Sequence, residues 1–188
     1  ISNNTGPALP VILIGGHLLN NVKLGVIIYI VQVISSVTTC FILRKKTLLR
    51  ENSYPDIYNK NLLSAITNSV EGGIKSTAIM CGYIILFNVM GDALINTFGN
   101  TNFLHLVRPF IEIVSGCSEI SGYNSSIVFV IISTAVSFGG ICVHMQSAAV
   151  MSSYYISPSK HTKFKLTEGL CAFIISCVLM FLREKCLF

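Results

Sequence analysis

Long apolar stretches separated by short polar segments form most of this chain of 188 residues. Four stretches hold a single charged or histidine side chain each, and they predict membrane-spanning helices at residues 22–43, 77–98, 127–150 and 166–182. A helix needs about 17–25 apolar residues to cross the hydrocarbon layer of a bilayer, which is about 30 Å thick. A chain this short cannot bury four such helices in a soluble core. The pattern therefore predicts an all-α fold, a polytopic transmembrane helical bundle in a single domain over residues 1–188.

Two shorter apolar segments, residues 7–20 and 103–120, precede the first and the third predicted spanning helices. Both are too short to span comfortably, and Gly15-Gly16 interrupts the first, so we expect re-entrant or broken helices. Broken segments in corresponding positions point to the binding site of a transporter. Between the first two spanning helices, the pattern predicts a polar loop at residues 51–59 and an amphipathic helix at residues 57–76, with a possible bend at Gly72-Gly73.

Basic residues at the ends of the apolar stretches suggest how the chain is oriented in the membrane. Arg44, Lys45, Lys46 and Arg50 place the end of the first helix in the cytoplasm, because cytoplasmic loops are enriched in Lys and Arg. If residues 103–120 dip into the membrane and return, Lys160, Lys163 and Lys165 also lie in the cytoplasm. If that segment crosses fully, those three lysines lie outside. We favour the re-entrant segment, although it places Arg183 and Lys185 outside.

The composition limits the kinds of partner that this chain is expected to bind. Hydrophobic residues make up 52% of the chain and charged residues 11%, and the net charge of +5 comes from clusters between apolar runs. This placement suits a lipid bilayer and argues against nucleic acid. The seven cysteines show no metal-ligand spacing, so no metal or other cofactor is predicted. The chain begins at Ile1 within a polar segment, without a recognisable signal peptide, which suggests a piece of a longer protein.

Polar residues recur at helical spacing inside three of the predicted spanning helices. They are Gln32, Ser35, Ser36 and Thr39 in the first, Asn88, Asp92 and Asn96 in the second, and Ser133, Ser137, Gly140, His144 and Ser147 in the third. Such stripes serve either ordinary helix packing, through small and hydroxyl residues, or a polar pathway. Packing is the favoured interpretation for the Ser and Thr positions, whereas Asp92 and His144 are candidates for either role.

The segment 103–120 carries the sharpest polar face. His105, Arg108, Glu112, Ser115 and Glu119 fall within about one third of the circumference of a helix, at about 100° per residue. Arg108 and Glu112 are four residues apart, close enough to pair. This face indicates either an interfacial amphipathic helix with a solvated surface or a set of charges in an internal cavity that binds an ion or a polar solute. The cavity interpretation predicts that the face points at Ser137 and His144.

Enzyme chemistry has little support in the sequence. Ser118, within Gly116-Cys117-Ser118-Glu119, and the later His144 resemble a serine–histidine dyad, but one serine and one histidine without fixed geometry are weak evidence. We therefore predict that the chain is not an enzyme.

Four strings together carry a family resemblance: Thr5-Gly6-Pro7 leading to Gly15-Gly16-His17, Pro109-x-x-Glu112-Ile113-x-x-Gly116, the run from Ser137 to Gln146, and residues 62–76 leading into the second spanning helix. The chain resembles the C-terminal half of the sporulation integral membrane protein YlbJ family, which belongs to the nucleoside-recognition, or Gate-domain, group. The resemblance covers nearly the whole chain.

The resemblance implies a multi-pass protein of the cell membrane in an endospore-forming bacterium, needed to form the spore cortex or envelope. It also implies kinship with the Gate domains of nucleoside transporters and ferrous-iron permeases, and an N-terminal half of the same protein as a partner. The substrate-binding residues expected from the resemblance and the polar stripes are Glu112, Gly116, Ser137, Gly139, Gly140, His144 and Gln146, while His105, Arg108, Glu119, Asn88 and Asp92 form a polar helix face. Two functions stay open: a transporter-like permease for a small polar solute or ion, and a non-transporting scaffold for spore-envelope assembly.

Overall fold

The computed structural model describes residues 4–44, 61–99, 101–123, 125–153 and 158–185, which contain helices and no strand. A π-helix, Ala8–Leu18, comes first. Seven α-helices follow: α1 (Val22–Ile42), α2 (Leu62–Phe98), α3 (Asn102–Ile111), α4 (Ile113–Ile120), α5 (Ser125–Phe138), α6 (Gly140–Ser153) and α7 (Ser159–Lys185). The predicted polar loop at residues 51–59 lies outside the described residues, as do residues 57–60 of the predicted amphipathic helix.

Four helical stretches are long and apolar enough to cross a membrane: Val22–Ile42, Leu62–Phe98, Ser126–Met151 and Ser159–Arg183. The third of these consists of α5 and α6, which are separated by a break at Gly139. The prediction of an all-helical bundle with four helices of spanning length is therefore confirmed by the length and composition of these helices. By length and composition, the chain is that of a multi-pass membrane protein.

Helix α2 differs from its prediction. The predicted amphipathic helix and the second spanning helix form one continuous helix of 37 residues, which is about 55 Å long at 1.5 Å per residue. The helix is continuous through Gly72-Gly73, where a side chain would meet open space. The helix exceeds the hydrocarbon thickness, so its more polar first part extends beyond the lipid core.

Helices α1, α5 and α7 pack against one another and form the centre of the bundle, and the π-helix packs against α1. The contact between the π-helix and α1 depends on glycine: a Cβ on Gly15 would lie 2.6 Å from Cα of Gly25, and a Cβ on Gly25 would lie 2.6 Å from the carbonyl oxygen of Pro10. Small residues allow membrane helices to approach this closely. The pair α3 and α4 packs against α5, and α2 lies outside, against α3 and α6.

Polar side chains of α1 face the interior of the bundle. Gln32, Ser35 and Thr39 have no exposed surface, whereas apolar residues such as Ile30 and Phe41 point outward. This arrangement suits lipid as the solvent, because an uncompensated polar group in hydrocarbon costs free energy. The hydroxyls bond to the preceding turn of their own helix: Ser35 Oγ donates to Gln32 O and Thr39 Oγ1 to Ser35 O.

Candidate functional site: two helix breaks and two ionic clusters

The first helix break lies at Glu112, between α3 and α4. Glu112 has extended backbone torsion angles, φ −137° and ψ 121°, and its carboxylate caps α4. Oε1 accepts from the amide of Val114 at 3.1 Å, and Oε2 accepts from the amide and hydroxyl of Ser115 at 2.7 and 2.5 Å. A carboxylate at a helix N-terminus satisfies free amide donors and complements the helix dipole. Glu112 therefore fixes the break, and the predicted pairing of Arg108 with Glu112 is wrong because the Glu112 carboxylate caps α4 while Arg108 contacts Asp92 and Glu119.

The two short helices run antiparallel as a hairpin. His105 contacts Glu119 across it, and Tyr123 donates a hydrogen bond to Asn102 near its open end. Gly116 faces Pro109 so closely that any Cβ would collide with the proline backbone. Gly116 thus permits the close approach of the two helices, which is a packing role. Both ends of the hairpin lie at the same end of the helix pair, and a re-entrant path for residues 103–120 stays a prediction.

The second break lies at Gly139 and Gly140, between α5 and α6. Both glycines have positive φ angles, +94° and +65°, in a region that L-residues with a side chain rarely adopt. Side chains bond to two backbone carbonyl groups at the end of α5. Nε2 of His144 donates to the carbonyl of Phe138 at 3.1 Å, and Nζ of Lys165 donates to the carbonyl of Ser137 at 3.4 Å.

The two breaks lie against each other. A Cβ on Gly140 would lie 3.3 Å from Cγ1 of Ile113 and 3.5 Å from the carbonyl oxygens of Ile111 and Phe110. The rings of Phe110 and Phe138 also meet, with centroids 6.3 Å apart. The structure therefore brings the residues on either side of Glu112 next to Gly140, so two strings that were predicted separately meet at the two breaks.

The remaining predicted binding residues surround the second break. Ser137 is fully buried, and its Oγ has no hydrogen-bond partner among the described residues. The ring of His144 packs on Phe138 at 4.6 Å between centroids, and its Nδ1 is likewise without a hydrogen-bond partner in the described ranges. Gln146 reaches away from the break: Nε2 donates to Sγ of Cys142 at 3.1 Å and to the carbonyl of Met80 on α2 at 3.4 Å.

The predicted polar helix face forms a single cluster, which we call the Arg108 cluster (Asn88, Asp92, His105, Arg108 and Glu119). Arg108 is buried, with its Nη2 2.6 Å from Oδ1 of Asp92 and its Nε 2.9 Å from Oε1 of Glu119. Nη2 also donates to Oδ1 of Asn88 at 2.8 Å, and Nδ1 of His105 lies 2.8 Å from Oε2 of Glu119. The polar residues of α3 and α4 therefore point at one another and at α2. The expectation that this face points at Ser137 and His144 is wrong.

A second ionic cluster was not predicted. The Lys165 cluster consists of Asn4, Ser137, His161, Lys165 and Glu168. Lys165 is 1% exposed and Glu168 0%, and Nζ of Lys165 lies 3.0 Å from Oε2 of Glu168. Nζ also donates to Oδ1 of Asn4 at 2.7 Å. The prediction counted Lys165 among the charges of a cytoplasmic loop, but its side chain is inside the bundle.

The N-terminal segment reaches this cluster along α1. Asn4 contacts Lys165, and Thr5 exchanges hydrogen bonds with Gln32, at 3.0 and 3.2 Å. The segment before the π-helix is thus held inside the bundle by polar contacts, at the level of the second break.

A separate cavity of about 350 Å³ opens at the other end of the bundle, where α1 and α5 begin and α7 ends. Its walls are largely apolar, including Leu24, Phe129 and Met180, with Lys23 and Arg183 among the lining residues. Arg183 is 18 residues beyond Lys165, about 27 Å along the helix axis, so this cavity is not part of either break.

Groups suited to hydrolysis or metal binding are not assembled in the part of the chain that is described. Nε2 of His144 donates to Phe138, and no hydrogen bond joins His144 to Ser118. Burial, together with the nearby Glu112 carboxylate, raises the pKa of the Cys117 thiol, which keeps it in its less nucleophilic form. No group of three His, Cys, Asp or Glu side chains able to hold a metal ion occurs among the described residues.

No family model, no curated protein and no solved structure matches this chain.

Proposed function

We propose that this chain is the helical core of a membrane transporter-like protein that moves a small polar solute or ion across the bilayer. The observation that carries the proposal is the contact between two helix breaks, at Glu112 and at Gly139-Gly140, beside the fully buried ion pair of Lys165 and Glu168. Non-helical backbone at membrane depth is tolerated where it is buried in protein or lines a polar pathway. The biological setting that we propose is the one implied by the YlbJ resemblance, the envelope of the bacterial spore.

The two breaks offer suitable groups for a polar solute. The end of α5 presents the carbonyls of Ser137 and Phe138, which are currently bonded to Lys165 and His144. A solute that binds these carbonyls would displace the side chains of Lys165 and His144. It could also bond to the buried hydroxyl of Ser137. Among the described residues, Val143 alone lies within 4 Å of a Cβ built on Gly139, so these residues do not enclose the backbone of this break on every side. A rearrangement here would exchange internal hydrogen bonds for bonds to the solute.

Uptake into proteoliposomes that contain the purified chain tests transport directly. Uridine, adenosine and Fe²⁺ are the first probes, because kinship with Gate domains suggests them, followed by amino acids and monovalent cations. We expect at least one probe to accumulate above protein-free liposomes, and Gly140→Val to abolish that uptake. Gly82→Val is the matched control, since a side chain at Gly82 in α2 would meet open space.

A scaffold without transport is the second candidate, and the hydrogen bonds of Glu112 favour it. Both oxygens of this carboxylate are used to cap α4, so a purely structural role would suffice for this residue. Sporulation of cells carrying Glu112→Gln or His144→Ala in the full-length protein separates the two functions. Loss of the spore cortex at normal protein abundance supports a working site. Normal cortex in both variants, with loss of cortex in Gly140→Val, supports the scaffold.

A further inference from the structure

Three ionisable residues lie on one buried stripe of α7. His161, Lys165 and Glu168 follow the spacing i, i+4, i+7, and they are 2%, 1% and 0% exposed. Ala172 and Ser176 continue the same stripe and are fully buried. Ionisable groups inside a membrane helix are costly, so they are usually paired and mark a pathway for ions or protons.

The hydrogen bonds of the buried pair are unequal. The Lys165 ammonium has three oxygen neighbours, one each from Asn4, Ser137 and Glu168. The Glu168 carboxylate lies beside the Asn4 amide and the Lys165 ammonium, yet neither of its oxygens receives a hydrogen bond of ordinary geometry from the described residues. Buried polar atoms in proteins are nearly always satisfied. The carboxylate therefore keeps acceptor capacity that a proton can use.

The buried stripe begins in the first turn of α7. His161 is in the first turn of the helix, next to the exposed Lys160. Its Nε2 has no hydrogen-bond partner within the described part of the chain, and its ring meets that of His144 edge-on with centroids 5.7 Å apart. Glu168 lies seven residues further, about 10.5 Å along the axis, and Lys165 lies between them. A histidine side chain can bind and release a proton near neutral pH, and His161 lies between this end of α7 and the buried pair.

Few other titratable groups face this stripe. Helix α5 carries no charged residue, and the titratable residues of α6 are Cys142 and His144. Within α1, the one charged residue is Lys23, which lines the cavity at the opposite end, and the π-helix has only His17, which is exposed. The charge on Glu168 is therefore balanced by Lys165, with the Asn4 side chain also beside it.

We propose that His161, Lys165 and Glu168 form a proton-binding site that exchanges with the aqueous side on which α7 begins. A proton taken up from water through His161 forms an O–H bond with the Glu168 carboxylate, and the net charge of the Lys165–Glu168 pair changes from zero to +1. Lys165 then loses its anionic partner, and its contacts with the Ser137 carbonyl at the second break and with Asn4 in the N-terminal segment must rearrange around an unpaired cation. As the coupling site of a transporter, this assignment rests on the proposed function.

Infrared difference spectroscopy of the chain in lipid measures proton binding without any transported solute. Acidification from about pH 8 to about pH 5, the range in which histidine titrates, should produce the C=O band of a protonated carboxyl group in apolar surroundings. Glu168→Gln should remove that band. Glu119→Gln is the matched control and should keep it, because Glu119 belongs to the Arg108 cluster. The double variant Lys165→Met/Glu168→Gln removes both charges together, so it avoids an unpaired buried cation, and it should also lack the band.

Absence of the band in the unaltered chain, or its persistence in both Glu168 variants, would overturn the assignment. Uptake of the transported probe at the same two pH values separates this result from the proposed function. Uptake without the band would contradict the proton-binding site but would still support the proposed transport. The band without any uptake would support proton binding by the pair and remove its role in transport.

Discussion

The Arg108 cluster and the Lys165 cluster are built from the same kinds of groups, but they differ in how far their charges are exposed to water. In the Arg108 cluster, one buried guanidinium faces two carboxylates, and the side chains of Asp92 and Glu119 are 59% and 27% exposed. In the Lys165 cluster, both members of the ion pair are shielded, at 1% and 0%. The first cluster can share its negative charge with water or lipid headgroups, whereas the second must balance its charges internally.

This difference suggests separate roles. The Arg108 cluster joins α2, α3 and α4 through several simultaneous contacts, which is what a structural clamp requires. The Lys165 cluster joins the N-terminal segment, the end of α5 and α7 through one ammonium, and it leaves the Glu168 carboxylate without hydrogen bonds of ordinary geometry from the described residues. A single protonation event changes the second cluster much more than the first.

The largest expected loss of stability comes from removing one member of the buried Lys165–Glu168 pair. Glu168→Leu leaves the Lys165 ammonium without its anionic partner, which should reduce the free energy of unfolding by about 3–5 kcal/mol. Thermal or denaturant unfolding of the purified chain in detergent measures this change.

The double variant Lys165→Met/Glu168→Leu is the control for that measurement. Replacing a buried pair by apolar residues of similar volume is often neutral or stabilising, so the double variant should be close to the unaltered chain. A double variant that is as unstable as Glu168→Leu alone would show that packing, and not charge balance, accounts for the loss.

A smaller effect is expected where the N-terminal segment meets the Lys165 cluster. Asn4→Ala removes the amide oxygen that accepts from Nζ of Lys165 at 2.7 Å, and a hydrogen bond to a charged group contributes about 1.5–3 kcal/mol. The same unfolding assay should show a loss in this range for Asn4→Ala. It should show almost none when Asn4→Ala is added to the double variant, because its charged partner is then absent. Equal losses in both backgrounds would contradict a link between the segment and Lys165.

The sequence predicted the Arg108 cluster better than the Lys165 cluster for a physical reason. His105, Arg108 and Glu119 interrupt an otherwise apolar segment, so their helical spacing is visible. Lys165 follows Lys160 and Lys163 in a polar stretch, and it resembles a loop charge until α7 is seen to begin at Ser159. The spacing of His161, Lys165 and Glu168 was the available signal, but the contact with Asn4 joins residues 161 positions apart and depends on tertiary structure.

The helix breaks were predicted in part. Short length marked residues 103–120 as a broken segment, and Gly139-Gly140 stood within a string that was singled out by resemblance. The place of the first break was missed, because Glu112 has the spacing of a residue on a continuous polar face, and glutamate is not among the preferred N-cap residues. Pro109, two positions before the end of α3, was the clue that this helix could not continue undisturbed.

The smallest expected effect lies in the exposed half of the Arg108 cluster. Asp92→Asn replaces a carboxylate whose side chain is 59% exposed, and an exposed ion pair contributes about 0–1 kcal/mol. Glu119→Gln should cost more, because Glu119 is less exposed and contacts both Arg108 and His105. Unfolding of the two single variants, measured side by side in detergent, ranks them. If Asp92→Asn proved the more destabilising, the main ionic partner of the Arg108 guanidinium would be Asp92 of α2. The Arg108 cluster would then stabilise the contact between α2 and α3 more than the hairpin of α3 and α4.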